Sequence, residues 1–469
     1  MAARVFGAVD IGASGGRVMA GVVDGPCTTL HTLHRFPNGP VQRDGHLRWD
    51  LTRLWSEVLT GLRLLARHFP QTESVGIDTW AVDYALLDGD DRLLAEPVSY
   101  RDGRTGPAIE RVHERVSQEE LYTVNGLQFL PFTTVYQLEA EKAAGLWDRV
   151  AHVVLLPDLL AHRLTGELRT ETTNASTTGL LDVRTGSWAT DLLDRLDIPG
   201  RLLPALVAPG EVIGPLTSAA VEQTGLRRGT LVTAVGSHDT ASAVVAVPAT
   251  TSRFAYVSSG TWSLAGLELD APVITPASRT ANFTNEGGVD GRTRFLRNVG
   301  GLWLLQESLR TWGDRGGPHD LDALLAAAER LPSGGPVVDV DDDAFIPPGD
   351  MPERIAAAAG RPLPDPAHTV RCILDSLAAA YASTTRQAAD LAGTSVDVIH
   401  VVGGGSRNRL LCQVTADLTG LPVVAGPVEA TALGNVLVQA RALGAVPDTL
   451  ERVRTDLAGT QALRVHTPS

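Results

Sequence analysis

Cysteine is scarce in this 469-residue chain. The three present, Cys27, Cys372 and Cys412, are an odd number without CxxC spacing. That excludes a disulfide framework and a cysteine zinc site, and it suits a reducing cytoplasmic setting. Long apolar runs are also missing, since none approaches the roughly 18–20 residues a membrane span requires. Positive charge is in deficit: 40 Lys and Arg against 54 Asp and Glu leave a formal net charge of −14. Neither nucleic acid nor an anionic membrane is an expected partner, because both need a basic face. The opening "MAARVFGAVD" has no basic-then-apolar leader, so export is not expected. The first glycine-rich turn lacks both the spaced glycines of a dinucleotide fingerprint and the Gly-Lys-Ser/Thr ending of a P-loop.

What is there is an ordinary globular composition, 43% hydrophobic and 20% charged, in a chain too long for one core. Two lobes are expected, 1–248 and 249–469, because each opens in the same pattern. "RVFGAVDIGASGGRVMAGVVDG" reads as strand, polar turn, strand, and "RFAYVSSGTWSLAGLEL" repeats that pattern at 253–269 without repeating its sequence. Between them, 51–69 recurs apolar at helical spacing, and "ESVGIDTWAVDYALLD" reads as strand, break, strand. Ser117 to Glu120 form a capping box, and "HVVLLPDLLAHRLTG" reads as strand, proline, helix, with Gly166 as the stop. "LVTAVGSHDTASAVVAVP" gives a buried strand, a small-residue turn and a helix before Pro248. The stretch 331–368 is rich in Pro, Gly and Asp and reads as a loop excursion. After it come a long helix and two β-turn-helix units, so the fold class is α/β.

Several stretches carry candidate chemistry. In "AVDIGASGGR", Asp10 and Arg17 flank a turn of Gly, Ala and Ser. Either this is a tight hairpin using glycine at positive φ, or a carboxylate, backbone N–H groups and a guanidinium are arranged for a metal-bound phosphate. "SSGTW" offers a second such turn, with the Thr261 hydroxyl as donor, and together they suggest a phosphate chain held by both. "GSHDT" stands at a strand end and helix start, where Ser or Asp serves as an N-cap or an Asp accepts a hydroxyl proton during phosphoryl transfer. Asp239 is the candidate base there, with His238 beside it placed to bond a polyol or to sit as a structural histidine. Asp78 and Asp83 flank Trp80 in an arrangement suited to a sugar, or equally to a strand-end turn. The glycines of "VVGGGSRN" let backbone approach a nucleotide or simply join strand to helix, with Ser406 or Asn408 as the cap. His31 and His34 have no third ligand in view.

In order along the chain, "AVDIGASGGRVM", "GIDTWAVDYALLD", "YRDGRT", "LQFLPFTTVYQL", "TNASTTGLLDV", "SHDTASAV", "SSGTWSL", "NEGG", "GLWLLQ", "HVVGGGS" and "AGPVEATALGN" resemble the FGGY carbohydrate kinases. The resemblance spans Asp10 to about Gly444. It implies a duplicated actin-like, ribonuclease H-like ATPase fold of two lobes with a cleft. The first lobe would carry the phosphate loop, sugar site and base, and the second would bind nucleotide. It further implies transfer from ATP, with Mg2+, to the 1-hydroxyl of L-rhamnulose, L-fuculose or xylulose being alternative acceptors and a non-catalytic sugar-binding protein the remote one. By position, Ala13, Ser14, Gly15, Gly16, Arg17, Thr261, Gln306 and Gly404 match ATP contacts, and Asp239 matches the proton acceptor. Ala81, Asp83, His238, Asp239, Thr240 and Asn298 match the sugar site, and Asp10 the carboxylate near the metal, directly or through water. Two positions depart from the family pattern: Ala81 stands where glycine is expected, and Ser14-Gly15-Gly16 holds one serine where two are expected.

Overall fold

Alternation in the first 24 residues folds into the hairpin that it implies. In the computed structural model, which describes residues 3–469, β1 (Arg4–Gly12) and β2 (Gly15–Asp24) pair antiparallel with Gly12 opposite Gly15. A loop of only Ala13 and Ser14 joins them. None of Gly12, Gly15 and Gly16 takes a positive φ, so the expected conformational reason for glycine does not hold here. The reason at Gly16 is space, because a Cβ there would collide with the Phe36 ring. β3 (Cys27–Pro37) completes the meander. Helix α1 (Leu51–His68) starts where Asp50 accepts the Arg53 N–H, and it buries Leu51, Leu54, Val58, Leu62 and Leu65 at helical spacing.

β4 (Ser74–Thr79) then lies parallel to β1. β5 (Tyr84–Leu87) pairs with β6 (His152–Leu155), and α2 (Leu156–Thr165) follows, ended by Gly166 at φ 78°. Two further strands, β7 (Val212–Pro215) and β8 (Leu231–Thr233), lead to α3 (Asp239–Val245), which stops before Pro248. The first sheet has the order β7–β8–β4–β1–β2–β3.

The second hairpin is β9 (Phe254–Ser259) and β10 (Trp262–Leu269), followed by β11 (Thr293–Gly300). The stretch 331–368 is not all loop: it holds a helix at Met351–Ala358, and the long helix α4 (Pro366–Ala392) already begins within it. Asp365 caps α4 by accepting the His368 N–H, a start signal embedded in a Pro-rich run. Then come β12 (Val398–Val402), α5 (Arg409–Thr419), β13 (Val423–Ala425), α6 (Ala430–Ala442), α7 (Leu450–Thr460) and β14 (Arg464–His466). The second sheet includes the order β11–β10–β9–β12–β13–β14. Its four strands β11–β10–β9–β12 repeat the β3–β2–β1–β4 arrangement, with β12 parallel to β9 as β4 is to β1. The duplication implied by the two hairpins is therefore topological.

By contact the chain forms two units. The first is Met1–Pro248 with Glu268–Phe295 and Ala430–Thr460; the second is Ala249–Leu267, Leu296–Glu429 and Gln461–Ser469. Residues 268–295 and 430–460 thus count with the first unit, where a simple division at 248 assigns them to the second. Packing explains the return of α6. Phe6, Ala8, Met19 and Val23, on one face of the first sheet, form a core with Ala432, Val436 and Ala440. Val5, Val9, Ile11 and Val18 face the opposite way, against Leu54, Val58, Leu62 and Leu65 of α1. No helix among the described residues is long and apolar enough to cross a membrane.

α6 also packs closely on α3, and the contact leaves no room for a side chain. A Cβ at Gly434 would fall on the Ser242 carbonyl oxygen. Replacing Gly434 by Ala therefore forces the two helices apart, at a cost of about 1–3 kcal/mol. The urea midpoint of Gly434→Ala should fall accordingly; a midpoint equal to that of the parent chain would contradict this packing.

Candidate active site

Side chains along a strand alternate between faces, so pairing register decides which carboxylates meet. β1 and β4 are aligned with Asp10 opposite Asp78. Asp10 lies on the same sheet face as Phe6 and Ala8, the one that α6 covers. Asp78 shares that face, since Asn435 of α6 donates to its Oδ2 at 2.6 Å. Both acids are buried, at 5% and 0% exposure. Arg17, opposite Asp10 on β2, donates to Asp10 Oδ2 from Nε at 2.8 Å and Nη2 at 2.6 Å. In this structure the guanidinium expected at phosphate is bonded to the carboxylate. Gln439 extends the support, donating to Asn435 Oδ1 at 2.7 Å and to the Gly7 carbonyl at 2.9 Å. Burial, with the nearby Asp10 charge adding to it, pushes the Asp78 carboxyl well above the usual range, against the bond from Asn435. Asp78 Oδ1 has no hydrogen-bond partner among the described residues.

Asp239 is the third acid near this point, and its charge also acts on Asp78. It is the first residue of α3, with His238 rather than Ser237 or Asp239 at the N-cap position. Thr240 donates to Asp239 Oδ1 at 3.1 Å, and His238 Nε2 stands 3.5 Å from the same oxygen. Among the described residues nothing bonds to Oδ2, and the side chain is about a third exposed. An acid with one oxygen anchored and the other bare can accept a proton from a neighbouring hydroxyl. Thr240 itself is 3% exposed, so it reaches the site through Asp239.

His238 is also nearly buried, and its Nδ1 lies 3.2 Å from Glu286 Oε2 and 3.2 Å from Arg294 Nη2. Arg294 is fully buried and pairs with Glu286 at 3.1 Å. Burial works to raise the Glu286 carboxyl, but Arg294 and His238 outweigh it, so its pKa lies below the ordinary value. Glu286 and Arg294 escaped the reading of the sequence. The available signal was a charged residue at an inward position of the apolar "TRFL" strand.

The Asp78–Trp80–Asp83 stretch is built differently from the open sugar platform it suggested. Trp80 is 6% exposed, with its ring 4.2 Å from that of Trp49. Asp83 Oδ2 accepts N–H bonds from Trp49 at 2.6 Å, Trp80 at 3.0 Å and the Tyr100 backbone at 3.2 Å. Oδ1 accepts Gln137 at 3.2 Å. Asp83, expected as a sugar contact, is 1% exposed and has four protein donors, which fix the turn. In that turn Asp83 N–H donates to the Ala81 carbonyl at 2.9 Å around Val82, which has φ 67°. A branched residue there is strained. Thr134 and Gln137 hold the Val82 carbonyl at 2.7 and 3.3 Å. Ala81 is half-buried and its own φ is not positive, so its methyl group adds no backbone strain.

The two polar turns share a feature the sequence did not reveal. Asn38 donates its side chain to the Gly12 carbonyl at 2.9 Å and its N–H to the Ser14 carbonyl at 3.2 Å. In the second unit, Leu302 and Trp303 donate to the carbonyls of Gly260 and Thr261 at 2.9 and 3.1 Å. Both turns thus have carbonyl acceptors engaged. Thr261 and Asn298 are half-buried, and Gln306 and Gly404 are exposed. Of the Gly triplet, Gly403 takes φ 80°, while a Cβ on Gly405 would collide with Ser259 Oγ. Gly404 has nothing near its Cβ position, and Asn408, not Ser406, caps α5 by accepting the Leu411 N–H. Among the described residues no three His, Cys, Asp or Glu side chains converge closely enough to ligate one metal ion.

Residues 5–246 match the N-terminal domain of the FGGY family of carbohydrate kinases, and residues 255–443 match its C-terminal domain. A protein of Pectobacterium carotovorum named rhamnulokinase is 43% identical over 100% of this chain and 94% of its own length. One of the same name from Bacteroides thetaiotaomicron is 41% identical over 98% and 93%. Among solved structures, a gluconate kinase from Lactobacillus acidophilus superposes with a TM-score of 0.83 at 18% identity, covering 100% of this chain and 94% of its own. A xylulose kinase from the same organism gives 0.81 at 18%, over 99% and 94%. These two show the shared fold.

Asp83 also makes stability depend on pH. Burial raises its pKa to about 6, and the bonds from Trp80, Trp49, Gln137 and Tyr100 only partly offset it. The unfolded value is about 3.9. The folded state therefore holds this proton more tightly, and its contribution to stability is lost as pH rises from about 4 through 6, by on the order of 2 kcal/mol. Urea unfolding of the parent chain and Asp83→Asn between pH 4.5 and 7 should show the stability difference changing in that direction. A difference flat with pH would contradict the assignment.

Proposed function

The chain belongs to the FGGY family of carbohydrate kinases, and from that premise we propose that it phosphorylates the 1-hydroxyl of L-rhamnulose with ATP, in L-rhamnose catabolism. The observation that carries the chemistry is Asp239, anchored through Oδ1 and bare at Oδ2. Identity of 41–43% over the whole chain to proteins named rhamnulokinase supports the acceptor. We assign Asp239 Oδ2 to take the proton of the attacking hydroxyl as the new O–P bond forms and the bond from the γ-phosphorus to the β-γ bridging oxygen breaks. His238, Asn298 and Ala81 are assigned to the sugar, with Thr240 and Asp83 supporting them.

The turn Ala13–Arg17 is assigned to ATP, as are Thr261, Gln306 and Gly404, and the base Asp239 lies in the first unit. With turn carbonyls engaged, and the Gly260 N–H bonded to the Trp262 carbonyl, the remaining turn N–H groups are assigned to meet phosphate oxygens. A magnesium ion accompanying ATP would neutralise phosphate charge. The hard oxygens of Asp10 and Asp78, the latter with an unpartnered Oδ1, fit such an ion held by few protein ligands and several waters. Free Cys27, Cys372 and Cys412 accord with the cytoplasm as the place of action.

Two measurements test the proposal. Asp239→Asn should lower kcat by about 10²–10⁴-fold and leave ATP affinity within a few-fold; near-normal turnover would remove Asp239 as the base. In a coupled assay of ADP release with L-rhamnulose, L-fuculose and xylulose, L-rhamnulose should give the highest kcat/KM. Preference for another ketose would overturn the acceptor.

A further inference from the structure

The turn at residues 236–238 that delivers Asp239 to α3 belongs to no helix or strand. Its fixation comes from a buried carboxylate far away in sequence. Glu171 is 1% exposed and immediately precedes the short helix Thr172–Ala175. Its Oε1 accepts the Thr173 N–H at 2.7 Å and the Thr172 hydroxyl at 3.3 Å. Its Oε2 accepts the Thr173 hydroxyl at 2.6 Å, the Asn174 N–H at 3.2 Å, and both the N–H and the hydroxyl of Ser237 at 2.9 and 2.7 Å. The same segment grips the turn twice more. Asn174 Nδ2 donates to the Ser237 carbonyl at 3.3 Å, and the His238 N–H donates to Thr173 Oγ1 at 3.4 Å. Thr79, at the end of β4, supplies a second N–H to that carbonyl at 2.9 Å. Every backbone polar group of Ser237 is therefore tied down.

All the hydrogen bonds to the Glu171 carboxylate come from neutral donors. A buried carboxylate so supplied is a rigid acceptor, and no other side chain matches it: an amide replaces one acceptor oxygen by an NH2 group. Asp158 lies against it, accepting the Glu171 N–H at 3.2 Å. Burial and the Glu171 charge push the Asp158 carboxyl well above its usual range.

We propose that Glu171 is a positioning residue for the phosphoryl-transfer base, fixing the Ser237–His238 segment and hence the start of α3 from which Asp239 acts. Glu171 touches no substrate in this role, which rests on the proposed kinase reading. In Glu171→Gln the amide NH2 meets N–H donors whichever way it is turned: Thr173 on one side, Asn174 and Ser237 on the other. A loss of alignment from such a remote change costs up to about 100-fold in rate.

The test measures kcat and KM of the full chain on the ketose that the parent enzyme turns over fastest, so that a wrong acceptor does not register as a failure of Glu171. Glu171→Gln should lose about 10–100-fold in kcat with KM for ATP unchanged within two-fold. Ser237→Ala, which removes one bond of the same link, should lose several-fold in kcat alone. The double variant should be no slower than about the worse single one, because the two changes break one link. Parental kcat in either single variant, multiplicative losses in the double one, or an equal loss of ATP binding would each overturn the proposal. Should Glu171→Gln not fold, Ser237→Ala decides by the same kcat criterion.

Discussion

Parallel pairing of β1 with β4, in the register that sets Asp10 beside Asp78, places two acids on one face at the ends of adjacent strands. Two carboxylates so placed repel and are poorly solvated, and much of the surrounding structure answers that problem. Arg17 sits opposite Asp10 by the hairpin register and supplies the compensating charge. Asn435 reaches in from α6 to donate to one oxygen of Asp78, and Gln439 donates in turn to Asn435. Burial first, then Asp10, raises the Asp78 pKa, and Asp239, on α3 over the same region, adds to it. The protein thereby gathers three acids at one point, where a cation would offset their charge.

Around this point, beyond the Arg17–Asp10 pair, two further buried carboxylates are held by neutral donors. Asp83 is held by two indoles, an amide and a backbone N–H, and Glu171 by hydroxyls and backbone N–H groups. Neutral donors fix an acceptor's geometry without bringing a second buried charge. Ion pairing enters beside His238, where Arg294 and Glu286 meet.

Local features were legible in the sequence because local forces make them. Both hairpins, α1, the Ser117–Glu120 capping box and the Gly166 stop all stand where their patterns put them. Asp239 was legible for the same reason, as an acid at a strand-to-helix junction. What was missed depends on partners distant in the chain. Glu171 meets Ser237 across 66 residues, and Asn435 meets Asp78 across 357. Nothing in "TETTNA" distinguishes a helix-capping glutamate from one that also holds another loop. Trp80 and Asp83 suit a sugar or a strand-end turn equally in the sequence, because their partner Trp49, which occupies the ring and the carboxylate together, lies 31–34 residues away. That 430–460 packs with the first unit was not legible, because helical periodicity shows that a face is buried, not which sheet buries it.

That last feature bears on how the protein is made. Phe6, Ala8, Met19 and Val23 await Ala432, Val436 and Ala440. At about 5–20 residues per second, a ribosome takes about 20–80 s to bring α6 out after the first hairpin has emerged. Throughout that interval the apolar side chains that α6 covers lack that helix, inviting chaperones or neighbouring nascent chains. The rate of translation, more than the intrinsic folding speed of the hairpin, therefore governs how long the first part of the chain stays vulnerable.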